Sequence, residues 1–123
     1  MRVLVVDDDA IVLESVRRVL EPEGHEVVAV PSAARAVEHL AGEGCDIMLL
    51  DVKMPVRDGY SLLDEVGRRW PGTSVVIMSG YPTPDTIAGG MALGARAFIP
   101  KPFSPDELLA VLESMGRKEA RHG

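Results

Sequence analysis

Four places in this 123-residue chain carry groups that could act together. Asp7, Asp8 and Asp9 form an acidic run, Asp51 ends one apolar run, Ser79 ends another, and Lys101 sits between Pro100 and Pro102. Carboxylates gathered in one place repel, and one of them holds its proton unusually tightly unless a cation neutralises the group. Mg²⁺ suits such a cluster, because it takes hard oxygen ligands and commonly combines one or two carboxylates with a phosphate. No His or Cys stands near these positions, which argues against zinc or another soft-ligand metal. Carboxylate, Mg²⁺, hydroxyl and ammonium are the set that phosphoryl transfer to an aspartate needs. One carboxylate is the nucleophile. The cations neutralise charge on the transferred oxygens, and the hydroxyl donates to one of them.

These residues can meet only if the chain brings them to one edge. Val3-Leu4-Val5-Val6, residues 47–50, residues 75–78 and the shorter Ala97-Phe98-Ile99 are apolar runs of the kind buried on both faces of a parallel sheet, and Glu26–Val30 is a further strand candidate. Helical spacing of apolar residues follows each: Val12, Val16, Val19 and Leu20; Ala33, Ala36, Val37 and Leu40 behind a Ser32 cap; Leu62, Leu63 and Val66; residues 82–93; and Leu108, Leu112 and Met115 behind a Ser104-Pro105-Asp106-Glu107 capping box. The fourth of these helices is weak, since Gly89 and Gly90 each cost about 1 kcal/mol against Ala. Strand and helix alternating five times predict an α/β fold, a doubly wound five-stranded parallel sheet with helices on both faces. Ligands bind such sheets outside the carboxyl ends of the strands. Asp7, Asp8, Asp51, Ser79 and Lys101 all fall there. Singly, Asp9 reads as a helix cap, Asp58-Gly59 and Ser79-Gly80 as turns, and Lys101 as a surface lysine; the joint placement carries the assignment.

The formal charge of −6 argues against nucleic acid or an anionic membrane as the main partner. A hydrophobic fraction of 46% with 26% charged residues excludes wholesale disorder. Cys45 is the single cysteine, so no intrachain disulfide can form, and it reads as a core residue. His25, His39 and His122 lack triad partners by spacing, Met48 and Met78 read as packing, and Trp70 as a cover for the bottom of the sheet. No secretory signal is evident at the N-terminus and no apolar run spans a bilayer, so a cytoplasmic location is expected. One domain over residues 1–116 and a fraying polar tail over 117–123 are expected.

VLVVDDDA, LLDVKMP, DG, VIMSG, GARAFIPKPF and the closing amphipathic helix, in this order, resemble a response-regulator receiver domain (CheY-like, flavodoxin-like fold), the phosphoacceptor module of two-component signalling. The resemblance covers residues 2–116. It implies that Asp51 accepts the phosphoryl group and that Mg²⁺ is held by Asp8 and Asp51 directly, by Asp7 through water and by the Lys53 backbone carbonyl. It implies Ser79 as the switch hydroxyl, Lys101 as the phosphate-binding lysine and Phe98 as the switch aromatic. Lys53 and Tyr81, two residues past Asp51 and Ser79, are placed to tune the lifetime of the phosphorylated state. The implied donor is a histidine kinase or histidine phosphotransfer protein. The implied output is a changed surface on the fourth helix, fifth strand and fifth helix, which would meet a protein effector, an output domain or a second copy. The chain would be a switch and not an enzyme. A small Mg²⁺-dependent phosphohydrolase with an aspartyl nucleophile is the rival, but such enzymes place an acid where this chain has Lys53. A receiver-like docking module that takes no phosphate is the third reading.

Overall fold

The structure, a computed structural model, describes residues 1–52, 59–80 and 83–122, with side chains through Met115. Five strands form one sheet: β1 (Arg2–Val6), β2 (Glu26–Val30), β3 (Ile47–Asp51), β4 (Ser74–Ser79) and β5 (Ala97–Pro100). Five helices alternate with them: α1 (Ala10–Leu20), α2 (Ala33–Gly42), α3 (Gly59–Arg69), α4 (Pro84–Ala92) and α5 (Pro105–His122). Every pairing is parallel and the order is β2-β1-β3-β4-β5. The order reverses beside β1, which opens a crevice between the ends of β1 and β3.

Alternate residues of the central strands feed two cores. Leu4, Val6, Met48, Leu50 and Ile77 face Ala36, Leu40, Leu62, Leu63 and Val66 of α2 and α3. Val3, Val5, Ile47, Leu49, Val76 and Met78 face Val16 and Leu20 of α1 and Leu108 and Leu112 of α5. Burial on both faces explains why β1 and β3 read as unbroken apolar runs. Cys45 belongs to the first core, and burial pushes its thiol up to about 11, so it is inert packing. Trp70 packs against the same core with the Arg69 guanidinium 4.4 Å from its ring centre.

Local signals set the helix starts. Asp9 Oδ1 accepts from Ile11 N at 2.9 Å and Ser32 Oγ from Arg35 N at 3.2 Å. Ser104 and Glu107 cap α5 reciprocally, at 3.1 and 3.0 Å. Each such cap contributes about 1 kcal/mol. The fourth helix begins at Pro84 and not at Pro82, because Thr83 is its cap and Pro84 fills the first turn. At the other end of the chain α5 runs on to His122, past Gly116 where fraying was expected. Arg117, Lys118, Glu119 and Ala120 are good helix formers, and they offset one glycine.

The glycine pair in α4 is two different residues. A Cβ on Gly89 would come no closer than 3.6 Å to anything beyond the helix, whereas one on Gly90 would meet Ile77 Cδ1 at 2.2 Å. Gly90 therefore lets α4 approach β4, and low helix propensity is only part of its role. Gly89→Ala is expected to stabilise the protein by about 0.5–1 kcal/mol. Gly90→Ala is expected to destabilise it by about 1 kcal/mol, since crowding fully buried Ile77 outweighs the propensity gain. Urea denaturation midpoints moving in opposite directions would establish the distinction.

Candidate functional site

The carboxyl ends of four strands converge. Asp7 and Asp8 follow β1, Asp51 and Ser79 are the last residues of β3 and β4, and Lys101 follows β5. Asp7 and Ser79 are fully buried, Asp51 is 6% exposed and Asp8 is exposed. Oxygens of Asp7, Asp8 and Asp51 all lie within 4.8 Å of one another.

Lys101 ties the group together. Its Nζ donates to Asp7 Oδ2 at 2.6 Å and stands 3.5 Å from Asp51 Oδ2. Its backbone N donates to the Ser79 carbonyl at 2.7 Å, which fixes the loop after β5 against the end of β4. The Lys101–Pro102 peptide is cis. The second Asp7 oxygen accepts from Asp9 N at 2.9 Å. One acidic residue thus orients the next turn while Asp9 caps α1.

Burial pushes the Asp7 carboxyl above its ordinary 3.8, and the charge of Asp51 adds to that. The hydrogen bonds from Lys101 and Asp9 N only partly oppose it. Burial works to lower the Lys101 ammonium, but its hydrogen bond to Asp7 and the charges of Asp7 and Asp51 outweigh that and raise it. Among the described residues the site is a cluster of crowded acids with a single ammonium, Lys101, among them, and three carboxylates exceed what one lysine can neutralise. That donor set, hard oxygens without His or Cys, fits a cation such as Mg²⁺.

Phe98 lies on β5 opposite Ile77, half-buried against the α2–α3 core that also receives Tyr60. Lys53 and Tyr81 fall outside the described residues, as does Asp58. Gly59, read from the sequence as turn punctuation, is the buried first residue of α3. A Cβ there would meet Val52 Cα at 2.4 Å and the Asp51 carbonyl oxygen at 2.7 Å. Its N–H donates to the Val52 carbonyl at 3.1 Å. The glycine thus lets the start of α3 sit against the backbone at the end of β3, beside Asp51. The sequence signals a glycine here but not what presses on it. The Lys101–Asp7 pair, 94 residues apart, had no sequence signal as a pair.

Comparison with known proteins gives the same answer. The family model for the response regulator receiver domain matches residues 3–113. The chain is 38% identical over 108 residues to the response regulator protein FleR of Pseudomonas aeruginosa, covering 88% of this chain and 23% of FleR. It is 32% identical over 118 residues to the response regulator MprA of Mycobacterium avium, covering 96% of this chain and 52% of MprA. The chain thus spans about a quarter of the length of FleR and about half that of MprA. The crystal structure of a CheY-like response regulator receiver domain protein from Methanospirillum hungatei superposes with a TM-score of 0.94 at 30% identity, covering 99% of this chain and 98% of that one. An acid cluster at the β1–β3 crevice with Asp7 and Asp51 buried, a lysine after β5 and these matches have one reading: the chain belongs to the response regulator receiver domain family, the phosphoacceptor modules of two-component signalling.

Proposed function

We propose that Asp51 is the acceptor and that phosphohistidine on a histidine kinase or a histidine phosphotransfer protein is the donor. The observation that carries this is the Asp7, Asp8, Asp51 and Lys101 cluster at the end of β3, with Ser79 on the next strand. A carboxylate oxygen of Asp51 attacks phosphorus and forms a P–O bond. The P–N bond breaks, and its electron pair stays on the imidazole nitrogen. Lys101, already between Asp7 and Asp51, shifts its donation to the transferred oxygens, and the Ser79 hydroxyl donates to another. Asp7, Asp8, Asp51 and the Lys53 carbonyl would hold Mg²⁺, which when bound neutralises charge on the phosphoryl oxygens.

An apolar groove of about 320 Å³ opens beside Lys101, lined by Ile11, Val12, Ser15, Pro102 and Phe103. Ile11 is 76% exposed at its rim. The donor protein docks there, because an exposed apolar rim next to the acceptor fits a partner helix. Phosphorylation adds charge and acceptor oxygens. Ser79 then draws in, Phe98 turns inward, and the α4, β5 and α5 surface changes for an effector, an output domain or a second copy. The chain acts as a switch, not as an enzyme with turnover on a small substrate; the phosphohydrolase reading would need an acid at Lys53. Among the described residues no helix is long and apolar enough to cross a membrane, which is compatible with a cytoplasmic place for this switch.

Incubation with acetyl phosphate and Mg²⁺, read by intact-protein mass spectrometry, is the test. One alkali-labile phosphoryl group per chain is the expected result, lost when EDTA replaces Mg²⁺. No uptake from any small phosphodonor would leave the docking-module reading standing instead.

Asp7 offers a separate check on the metal. Its raised pKa means that the folded chain holds this proton more tightly than the unfolded chain. In the metal-free protein, ionised Asp7 therefore costs stability at neutral pH. That cost disappears as the pH falls through the raised folded value. Protons compete with Mg²⁺ for the same oxygens, so Mg²⁺ affinity should weaken on acidification, beginning above the ordinary range near 3.8. Asp7→Asn removes the crowded charge. It should raise the metal-free Tm by a few degrees and abolish the Mg²⁺-induced gain in Tm. A variant that loses Tm without metal yet keeps the Mg²⁺ response would contradict the account.

A further inference from the structure

Tyr60, the second residue of α3, reaches across to α4 and donates its hydroxyl to the Thr86 backbone carbonyl at 2.9 Å. Its ring lies along the side of α4 that has no side chains. Tyr60 Cε1 is 3.6 Å from where a Gly89 Cβ would stand and 3.9 Å from a Gly90 Cβ. The first turn of α4 is tied internally: Thr83 Oγ1 accepts from Thr86 N at 3.2 Å, and Thr86 Oγ1 donates to the Thr83 carbonyl at 2.9 Å. Tyr60 thus fastens an already closed turn to α3.

The rest of α4 is weakly held. Gly90 is its only buried residue, and its interior carries two glycines. An element with so few buried apolar contacts opens at low free energy, so one added hydrogen bond changes its population strongly. The Thr83 cap stands four residues after Ser79, and the Ser79 carbonyl is bonded to Lys101 N. Only residues 80–83 separate β4 from α4, so a displacement of α4 bears on the strand end that holds the Ser79 hydroxyl.

We propose that Tyr60 is a positioning residue whose hydroxyl latches α4 to α3 and so holds Ser79 in its unphosphorylated arrangement. The effect on phosphorylation rests on the Asp51 reading above; the latch itself does not. Tyr60→Phe keeps the ring on the glycine face and removes the hydroxyl that donates to Thr86.

Hydrogen exchange on unmodified protein tests the latch. In Tyr60→Phe, amides of residues 84–92 should exchange about fivefold faster, the factor that one hydrogen bond of ordinary strength represents. Amides of β1, β3 and β4 should be unchanged. Unchanged exchange in α4, or an equal rise throughout the sheet, overturns the latch. Phosphoryl uptake from acetyl phosphate at sub-saturating donor should also be about fivefold faster, because the competent arrangement is no longer held back. Faster exchange with an unaltered uptake rate overturns the positioning role. If neither parent nor variant takes up phosphate, the Asp51 reading fails, and the exchange result alone decides whether Tyr60 holds α4.

Discussion

Asp51→Asn is expected to abolish phosphoryl uptake while leaving the fold intact. An amide oxygen is a far poorer nucleophile than a carboxylate, and no acyl phosphate can form on it. The substitution keeps the side-chain shape at a position only 6% exposed, so packing at the end of β3 is preserved. It also removes one of the charges that hold the Asp7 carboxyl above its ordinary range. The metal-free variant should therefore be at least as stable as the parent. Its Mg²⁺ affinity should drop, since one carboxylate of three is gone. Mass spectrometry after acetyl phosphate treatment would show the parent modified and the variant untouched. Labelling that persisted in the variant would move the acceptor elsewhere. Neighbouring Asp8, exposed and within reach, would be the first residue to test.

Among the described glycines, Gly59→Ala should be the most damaging single-methyl change. The added carbon would stand 2.4 Å from Val52 Cα and 2.7 Å from the Asp51 carbonyl oxygen. Both are backbone atoms, so relief cannot come from a rotamer. Either the strand end moves or α3 starts elsewhere. The Gly59 N–H bond to the Val52 carbonyl would be lost in both cases. A cost of about 3–5 kcal/mol is expected, the range of severe overpacking combined with a broken backbone contact. Because Asp51 is the residue next to Val52, Mg²⁺ affinity should fall together with stability. Urea unfolding and Mg²⁺ titration on the same preparation would read both effects. A loss below about 1 kcal/mol would show that the approach of α3 to β3 is not fixed. The contrast with Gly90 is instructive: there the close atom is the tip of Ile77, which can turn aside.

Much of this architecture was legible in the residues. β2 and α2 fall where hydropathy and the Ser32 cap placed them, and the Asp9 and Ser104 caps do what their residue types suggest. Strand ends were legible because a parallel strand buried on both faces is an uninterrupted apolar run, and the first polar residue marks where it leaves the core. Asp7, Asp51 and Ser79 are those first polar residues. The start of α4 was misplaced by two residues because two prolines and a threonine compete there for the first turn. α5 continues through the polar run after Gly116, since a polar run rich in Arg, Lys and Glu can be a good helix.

What the sequence alone determined, then, is the order of elements and the strand-end position of every chemical group in the site. Both depend on short-range properties: periodicity, capping and turn chemistry act over a few residues and are written where they act. The tertiary structure alone decided which groups touch. It put Lys101 on Asp7 and not only on Asp51, set Gly59 against the backbone of β3, and laid Tyr60 across the glycine face of α4. Those contacts join residues from separate βα units. They depend on how far each helix can approach the sheet, and packing of the whole core sets that distance, not any local run of the chain.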